Sequence, residues 1–319
     1  MPDIAEARRS LIINLERDDV DCLVIGGGPA GLAAATYLGR FRLSSLVYDG
    51  GESRAARIPC TRNQPGFPEG IAGADLLGRM RQQVSRHGVR LFEALVTGLT
   101  REDGRFRACT AGHDVLARTV ILATGVRNRR PEMNPSLHDE ALALGRLRYC
   151  PICDGYEVTD KRVAVIGTGG HAAAEAEFIR SYSACVTLVS VDGPHRLDRQ
   201  TRERLSEKGI VILDGPAAHF ALDGDGILFW IGDAWLKADT IYVALGSHIC
   251  SELGAAVGAE QTREGCIKVD AHQRTSVPGL YAAGDVVPGL DQISVAIGQA
   301  ALAATTVRND LCREGLLLR

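Results

Sequence analysis

Apolar residues in this chain gather into short runs that are each followed by a glycine-rich turn and an alanine-rich stretch. The first run covers residues 21–25, the turn covers 26–31, and the alanine-rich stretch covers 32–38. Four or five consecutive apolar residues before glycines are typical of a buried parallel strand, and the longer alanine-rich stretch predicts a helix. A second apolar run at 45–48 ends at Asp49. Together these elements predict a complete β–α–β unit.

The same pattern returns in the second half of the chain. It predicts a strand at 162–166, a glycine turn at 167–172, a helix at 173–181, and a strand at 185–191 that ends at Asp192. The length of 319 residues is about twice that of a usual domain, so two such units fit two domains. We therefore predict an α/β fold with two Rossmann-like dinucleotide-binding domains of the three-layer ββα type, the second inserted in the first.

Two further apolar runs mark the crossings between the domains, since 120–125 and 241–246 each end in a glycine. Residues 1–19 are expected to form an N-terminal extension with a short helix. The chain should leave and re-enter the first domain at the two glycines, as inserted domains do. We therefore predict a discontinuous first domain, formed by residues 20–125 and 247–319, and an inserted second domain, formed by residues 126–246.

The charge balance and the lengths of the apolar runs exclude several classes of protein. The 36 Lys and Arg residues nearly balance the 39 Asp and Glu residues, for a formal net charge of −3. This balance argues against nucleic-acid binding and against a polybasic membrane binder. The sequence has no apolar run of the ~18 residues that a transmembrane helix needs, and its first residues lack the basic start and apolar centre of a signal peptide. We therefore expect a cytoplasmic protein without a transmembrane segment.

One pair among the nine cysteines, Cys150 and Cys153, has the spacing C-x-x-C. In a reducing compartment a single C-x-x-C points to redox or metal chemistry rather than to a disulfide scaffold. A zinc site would need four ligands, and the sequence contains neither another C-x-x-C nor an H-x₃₋₅-H. We therefore predict a redox pair and no metal. Asp154, beside the second cysteine, is a candidate proton donor or acceptor for a thiolate.

The first glycine turn has the pattern of a dinucleotide-binding loop. Gly26 permits the tight turn, Gly28 lets the backbone approach a pyrophosphate, and Gly31 allows close packing of helix on strand. The phosphates would lie at the helix N-terminus, where free N–H groups and the helix dipole favour negative charge. Asp49, which closes the next strand, is a candidate to bind a ribose hydroxyl.

The second glycine turn departs from this pattern at one position. Gly167 and Gly169 fill the first two glycine roles, and Ala172 replaces the third, which the pattern tolerates. Asp192 closes the second strand of this unit, where a carboxylate binds an unphosphorylated ribose and repels a 2′-phosphate. This acid argues for NADH, or for the adenosine of an FAD, over NADPH.

A third stretch of interest lies near the C-terminus, where a short apolar run ends in Gly284 and Asp285. Asp285 is a candidate to bind the ribityl or pyrophosphate region of a flavin. The last alanine-rich helix starts near Gln292, and its N-terminus would place N–H groups where a reduced flavin ring carries negative charge.

Taken in order, these motifs resemble the low-molecular-weight thioredoxin reductases from residue 21 to about residue 311. The resemblance implies that FAD binds the first and last segments, and that the inserted domain carries both a nicotinamide site and the dithiol. It also implies a homodimer that acts on a thioredoxin-like protein or a small dithiol or disulfide substrate, with hinges at Gly125 and Gly246. The stretches that carry it are 26–31, 63–68, 123–125, 150–155, 167–172 and 282–285.

The motifs and the resemblance together assign three groups of site residues. The catalytic group is Cys150, Cys153 and Asp154, with Cys153 implied by the resemblance as the sulfur nearer the flavin. The FAD group is Gly26, Gly28, Pro29, Ala30, Gly31, Asp49, Asn63, Thr124, Gly125, Gly284, Asp285, Gln292 and Ile293. The group for the second dinucleotide is Gly167, Gly169, Gly170, His171 and Asp192.

Two departures from the family pattern leave the second dinucleotide open between NADPH, NADH and a second FAD. Typical members carry His-Arg-Arg where this chain has Ser190-Val191-Asp192, and Gly-Asp-Ser-Ala where it has residues 169–172. Arg196 and Arg199 lie close downstream as alternative contacts for a 2′-phosphate. One alternative function is therefore a diflavin or oxidase-type disulfide oxidoreductase, and a more distant one is a flavoprotein redox sensor.

Overall fold

The computed structural model describes residues 18–112 and 114–315. These residues form a mixed α/β fold with two largely parallel sheets, which confirms the predicted fold class. The expected N-terminal extension and its helix lie outside the described residues, apart from Asp18 and Asp19, which begin the first strand.

The chain packs as two compact units. The first unit holds the residues up to Ser53, together with Arg79–Gly125 and the residues from Ile249 onward. The second holds Arg54–Gly78 and Val126–His248. Residues 54–78 thus pack with the second unit, whereas the sequence analysis assigned them to the first domain.

Two ion pairs tie residues 54–78 to the second unit. Arg57 pairs with Asp139 at 3.3 Å, and Arg62 pairs with Glu157 at 3.7 Å. Contacts between residues so far apart along the chain leave no local pattern, so periodicity could not reveal them.

A sheet of seven strands forms the centre of the first unit. The strand order is β3–β2–β1–β6–β5–β4, and a further strand, β17, pairs with β6 beyond the end of β5. The parallel strands are β1 (Asp18–Ile25), β2 (Ser45–Asp49), β3 (Arg90–Glu93), β6 (Asp114–Leu122) and β17 (Leu280–Ala282), and the antiparallel ones are β4 (Val96–Glu102) and β5 (Arg105–Thr110).

Two long helices of the first unit, α1 (Pro29–Arg40) and α8 (Ile293–Arg313), pack against each other. A short helix, α7 (Glu252–Ala256), packs near β4, and α2 (Gly73–Ser85) runs from the second unit into the first. The central parallel strands are covered on both faces, so every residue of β2 and Leu23 to Ile25 of β1 are buried. Among the helices of the described residues, none is long and apolar enough to cross a membrane.

The second unit is built on a parallel sheet of five strands in the order β11–β10–β9–β15–β8, beside a three-stranded antiparallel sheet, β12–β13–β14. The parallel strands are β8 (Leu147–Arg148), β9 (Val163–Ile166), β10 (Val186–Val189), β11 (Val211–Leu213) and β15 (Thr240–Val243). The antiparallel strands are β12 (Ala217–Asp223), β13 (Gly226–Ile231) and β14 (Ala234–Ala238). The helices are α3 (Pro135–Ala143), α4 (Pro151–Asp154), α5 (Gly169–Ile179) and α6 (Arg199–Glu207), and the connecting strands β7 (Val126–Asn128) and β16 (Ser247–Ile249) pair with each other.

Alternate residues of β9 enter two different cores. Val163 and Val165 pack with residues of α5 and α6, whereas Ala164 and Ile166 pack with the three-stranded sheet. Side chains alternate between the faces of a strand, so a fully apolar strand can hold a layer on each side. The second unit therefore has the predicted order of helices, parallel sheet and antiparallel sheet.

His195 makes the stability of the second unit sensitive to acid. Its side chain is buried, and this burial lowers the pKa of the imidazole. Below about pH 6.5 the unfolded chain takes up a proton that the folded chain binds less well. We therefore expect the free energy of unfolding to fall as the pH is lowered through about 6.5, and to fall less steeply in His195→Gln.

Urea denaturation followed by circular dichroism at several pH values between about 5 and 8 measures this slope. His272→Gln, at an exposed position, is the matched control and should keep the slope of the unchanged protein. An unchanged slope in His195→Gln would show that another group causes the acid sensitivity.

Candidate active site

Cys150 and Cys153 form a disulfide at the start of helix α4, with their Cα atoms 5.2 Å apart. Cys150 is the N-cap residue, in an extended conformation, and Pro151 takes the first helical position. Proline suits that position because its fixed φ is helical and its missing N–H would have no partner there. The amide of Cys153 donates to the carbonyl oxygen of Cys150 at 3.0 Å. This single turn of helix therefore holds the two sulfurs within bonding distance.

The turn that carries the disulfide, residues 150–156, is partly exposed. Ile152 is 50% exposed and Tyr156 is 80% exposed. On the inner side, Gly155 lies under the ring of Tyr182, since a Cβ on this glycine would be 2.7 Å from Tyr182 Cε2. The turn can therefore be approached by another disulfide while its backbone is held against the second unit.

The Asp154 carboxyl is held by two residues that the sequence analysis missed. Its Oδ2 accepts a hydrogen bond from Arg148 Nη1 at 2.5 Å, and its Oδ1 accepts one from Tyr242 Oη at 2.7 Å. Burial raises the pKa of Asp154, and the Arg148 cation opposes this rise. An acid whose pKa lies above its usual range can exchange a proton nearer neutral pH. Arg148 lies two residues before Cys150 and could have been found from that position. Tyr242 lies in an apolar strand that no motif marks, so the sequence gives no signal for it.

A second cluster, in which only the imidazole of His138 is buried, fixes the residue before the dithiol. Tyr149 Oη lies 2.7 Å from His138 Nε2, and His138 Nδ1 lies 2.8 Å from Asp139 Oδ1. Burial raises the pKa of Tyr149 to about 12, so its hydroxyl stays protonated at neutral pH. No motif in the sequence singles out these residues. Their hydrogen bonds anchor the chain where it enters the dithiol turn.

The first glycine loop is pressed against backbone on its inner side. A Cβ on Gly26 would lie 2.2 Å from the carbonyl oxygen of Ala123, and one on Gly31 would lie 1.8 Å from that of Gly26. Gly28 is the N-cap of α1 and, within the described residues, gives the helix no side-chain cap. The first N–H groups of α1 are thus available to an anion, which fits the pyrophosphate of a dinucleotide.

Asp49 lies against this loop. A Cβ on Gly27 would be 2.0 Å from Asp49 Oδ2, so only glycine leaves room for the carboxylate. Asp49 Oδ1 accepts from the amide of Gly51 at 2.9 Å, and Oδ2 accepts from Arg81 Nη2 at 2.9 Å. Arg81, which lies 32 residues away along the chain, is a further partner that the sequence analysis missed.

Other members of the FAD group meet at the same edge of the first sheet. Thr124 Oγ1 donates to the carbonyl oxygen of Cys250 at 2.5 Å, next to the Gly26 contact with Ala123. Gly284 has a φ of +80°, and a Cβ there would lie 2.9 Å from Ala30 Cβ. The loop, the end of β6 and the residues after β17 are therefore adjacent.

The remaining FAD candidates are less closely tied to that edge. Gln292 is the N-cap of α8, which begins at Ile293. Asn63 belongs to the second unit, where its Oδ1 accepts from Thr61 Oγ1 at 2.9 Å.

The second glycine loop repeats the first in its backbone contact. A Cβ on Gly167 would lie 2.4 Å from the carbonyl oxygen of Ala244. Gly169, with a φ of +70°, begins α5, and Thr168 provides no side-chain cap in the described part of the chain. His171 in the first turn pairs with Glu175, with 3.1 Å between Nε2 and Oε1. This loop also fits a pyrophosphate at a helix N-terminus.

Asp192 is exposed and lies three residues after β10, which ends at Val189 rather than at the predicted residue 191, and its Oδ1 accepts from Ser190 Oγ at 3.1 Å. Of the two arginines noted downstream, Arg196 is exposed, and Arg199 Nε donates to Glu203 Oε1 at 2.6 Å. In the described contacts, Asp192 is therefore held by a hydroxyl rather than neutralised by a cation.

Comparison with known proteins decides the family. A family model for pyridine nucleotide-disulphide oxidoreductases matches residues 20–300. The chain belongs to this family. A thioredoxin reductase of Streptomyces coelicolor is 31% identical over 281 residues, which cover 83% of this chain and 85% of the relative. These matches confirm the resemblance to thioredoxin reductases that the motifs indicated.

Two solved structures have a fold similar to that of this pyridine nucleotide-disulphide oxidoreductase. The crystal structure of HlmI has a TM-score of 0.86 and 28% identity, covering 93% of this chain and 94% of that one. The thioredoxin reductase of Streptococcus pyogenes has a TM-score of 0.85 and 25% identity, covering 93% of this chain and 100% of that one. The protein is a flavin-dependent disulfide oxidoreductase that resembles thioredoxin reductase.

The close contact between Gly31 and the carbonyl oxygen of Gly26 predicts that one methyl group added at Gly31 will destabilise this oxidoreductase and weaken its flavin binding. Gly31→Ala would force its Cβ into the carbonyl oxygen of Gly26, so we expect a loss of stability of about 1–3 kcal/mol or more. We also expect loss of bound flavin, because the helix N-terminus would shift. Flavin absorbance per chain and thermal denaturation measure the two effects.

Gly78→Ala is the matched control for this substitution. Gly78 lies inside helix α2, and a Cβ there meets nothing within 4 Å among the described residues. Alanine is favoured over glycine in a helix by about 1 kcal/mol, so this variant should keep its flavin and gain slightly in stability. Full flavin content in Gly31→Ala would contradict the importance of the loop contact.

Proposed function

We propose that Cys150 and Cys153 alternate between disulfide and dithiol as the protein passes two electrons between FAD and the disulfide of a thioredoxin-like protein. The observation that carries this proposal is the C-x-x-C disulfide on a partly exposed turn, directly followed by the held acid Asp154. The relatives named thioredoxin reductase support a protein substrate. A small dithiol or disulfide is the alternative substrate for the same chemistry.

FAD would supply the two-electron chemistry when bound. The loop 26–31 would hold its pyrophosphate at the N-terminus of α1, because backbone contacts there leave N–H groups rather than side chains facing the ligand. Asp49 would accept a hydrogen bond from a ribose hydroxyl. Asp285 and Gln292 would contact the part of the cofactor nearer the flavin ring.

The exchange with the substrate follows the usual chemistry of thiolates. Two electrons and two protons convert the Cys150–Cys153 disulfide to two thiols. One thiolate attacks the substrate disulfide, forming a mixed disulfide and releasing a substrate thiolate that takes up a proton. The second thiolate attacks the mixed disulfide, so that the Cys150–Cys153 bond reforms and the second substrate thiol leaves. Asp154 would hold and supply the proton in this sequence.

The second glycine loop would bind a dinucleotide with an unphosphorylated ribose, and we propose NADH. Asp192 supports this choice because an exposed carboxylate at this position accepts from the 2′-hydroxyl and repels a 2′-phosphate. Its hydrogen bond from Ser190 leaves its negative charge in place. A second FAD in this loop, which would make a diflavin enzyme, is the alternative, since its adenosine ribose is also unphosphorylated.

Three further features of the proposal follow from the family resemblance. Apart from residues 54–78, which pack with the second unit, the FAD domain would be formed by the first and last segments, 20–125 and 247–319, and the inserted domain by 126–246. The enzyme would be a homodimer. Its location would be the cytoplasm.

Substitution of either cysteine of the pair should separate flavin binding from turnover. We expect Cys150→Ser and Cys153→Ser to keep their flavin and to lose at least about 100-fold in the rate of disulfide reduction, because neither can close the disulfide. Steady-state turnover with thioredoxin and with a small disulfide measures the loss. Cys185→Ser, an exposed free cysteine of the same unit, should keep full turnover. Turnover that survives in both active-site variants would remove the pair from the mechanism.

The nucleotide preference can be measured by anaerobic titration of the yellow protein with NADH and with NADPH. We expect NADH to bleach the flavin at concentrations at least about tenfold lower than NADPH, and Asp192→Ser to reduce this preference. Asp233→Ser, at an exposed turn of the same unit, is the control.

Two results of this titration would overturn the choice of NADH. A preference for NADPH would mean that an arginine such as Arg196 contacts the 2′-phosphate. No bleaching by either nucleotide, with two flavins released per chain, would establish the diflavin alternative.

A further inference from the structure

The chain contains two similar clusters, in each of which an arginine and a tyrosine donate to an aspartate. In the second unit, Asp154 accepts from Arg148 and Tyr242. In the first unit, Asp310 accepts from Arg274 and Tyr281, and also from a second cation, Arg313, at 3.3 Å. The two carboxylates have similar exposed side-chain areas, 26% and 23%. Comparing them isolates what is particular to the cluster beside the dithiol.

The two arginines hold their carboxylates differently. Arg274 donates from Nε to one oxygen of Asp310 and from Nη2 to the other, both at 2.8 Å. Arg148 donates from Nη1 to Oδ2 of Asp154 only, and Tyr242 occupies Oδ1. A bidentate pair stabilises the charged form more strongly than a single hydrogen bond does.

The pKa values of the two acids are shifted in opposite directions. The bonds from Arg274 lower the pKa of Asp310, whereas burial raises the pKa of Asp154 despite the Arg148 cation beside it, and the negative charge of Glu157 adds to that rise. Of the two acids, only Asp154 is therefore prepared to take up a proton.

Arg148 and Tyr242 are placed by the sheet itself. They are register partners on the neighbouring parallel strands β8 and β15. Tyr242 is fully buried. The guanidinium of Arg148 fits beside Gly145, where a Cβ would lie 2.9 Å from Nη2. The sheet thus presents a cation and a hydroxyl side by side to the residue that follows Cys153.

This arrangement lets Asp154 change its protonation state without losing its position. A tyrosine hydroxyl can donate to a carboxylate or accept from a carboxylic acid. A proton on Oδ1 would reverse the hydrogen bond with Tyr242, while the bond from Arg148 to Oδ2 stays. In the other cluster, a proton on either oxygen of Asp310 would displace a hydrogen bond from Arg274.

We propose that Arg148 and Tyr242 are positioning residues that keep the Asp154 carboxyl beside the dithiol as a reversible proton carrier and set the pH range over which the dithiol exchanges. The inference rests on the proposed role of Asp154 in that exchange. In each of the two exchange steps Asp154 takes the proton of the pair thiol that becomes the attacking thiolate and gives it to the thiolate that departs, so the two protons of the reduced pair reach the two substrate thiols and Asp154 ends the cycle unchanged.

The direct test is the titration of Asp154 in the oxidised protein, where no thiol of the pair titrates. Carboxyl carbon NMR of the aspartate-labelled holoprotein gives the midpoint, and the signal lost in Asp154→Asn identifies the residue. We expect the midpoint to rise in Arg148→Gln by roughly one pH unit, because an opposite charge is removed. A smaller rise is expected in Tyr242→Phe, and almost none in Arg148→Lys, which keeps the charge.

Two matched variants control for the loss of a similar contact elsewhere. Tyr281→Phe removes the hydroxyl from Asp310, and Arg162→Gln breaks the exposed pair with Asp239 in the second unit. Neither should move the Asp154 midpoint. If Arg148→Gln does not fold, Arg148→Lys and Tyr242→Phe still test the proposal, and circular dichroism checks each variant for folding.

The second readout is the pH profile of the exchange between the pre-reduced protein and hydroxyethyl disulfide, followed in a single turnover. Its midpoint should move in the same direction and order as that of Asp154. An Asp154 midpoint that stays fixed in folded Arg148→Gln and Tyr242→Phe would overturn the positioning role, even if the unchanged enzyme reduces disulfides normally. If instead the Asp154 midpoint shifts in these variants but the unchanged enzyme reduces no disulfide, the proposed function is rejected. The positioning role of Arg148 and Tyr242 would still hold.

Discussion

Both units depend on one close backbone contact, in which the first glycine of a loop touches the carbonyl oxygen of an alanine at the end of a neighbouring strand. The pairs are Gly26 with Ala123 and Gly167 with Ala244. Any side chain at either glycine would separate the loop from that strand. The contact brings a strand end, a loop and a helix N-terminus to the same edge of the sheet, which is where ligands bind in open α/β sheets. The other candidate site residues of each unit could contact a ligand only at this edge.

The two units use equivalent acids under different constraints. Asp49 is buried and tied to Gly51 and Arg81, so its carboxylate is fixed before any ligand arrives. Asp192 is exposed and held by one hydroxyl. The acid of the first unit is therefore the more tightly held of the two.

The elements that the sequence predicted best were those with a local pattern. The runs 21–25 and 162–166 are strands in the structure, with β1 starting earlier at Asp18 because it pairs with β6 from its first residue. The helices after the glycine turns were also predicted, but they begin three and four residues earlier than expected, at Pro29 and Gly169, so the last part of each predicted turn is helical. Local periodicity is sufficient here because each strand is buried on both faces.

The partners of the site residues could not be predicted in the same way. Tyr242 reaches Asp154 across 88 positions of the chain, and Arg81 reaches Asp49 across 32. Such pairs depend on which strands and helices lie side by side, which the hydrophobic pattern does not specify. The packing of residues 54–78 with the second unit was missed for the same reason. The candidate site was therefore predictable as a set of motifs, but its hydrogen bonding was not.

The register between β8 and β15 has a consequence for protein engineering. The segment from Cys150 to Asp154 is short enough to be grafted onto the first turn of a helix in another protein scaffold. In this protein, however, its acid is held by side chains from two adjacent strands. A graft of five residues would carry the sulfurs and leave the acid unsupported. A functional transplant would have to include β8 and a buried tyrosine on the strand beside it.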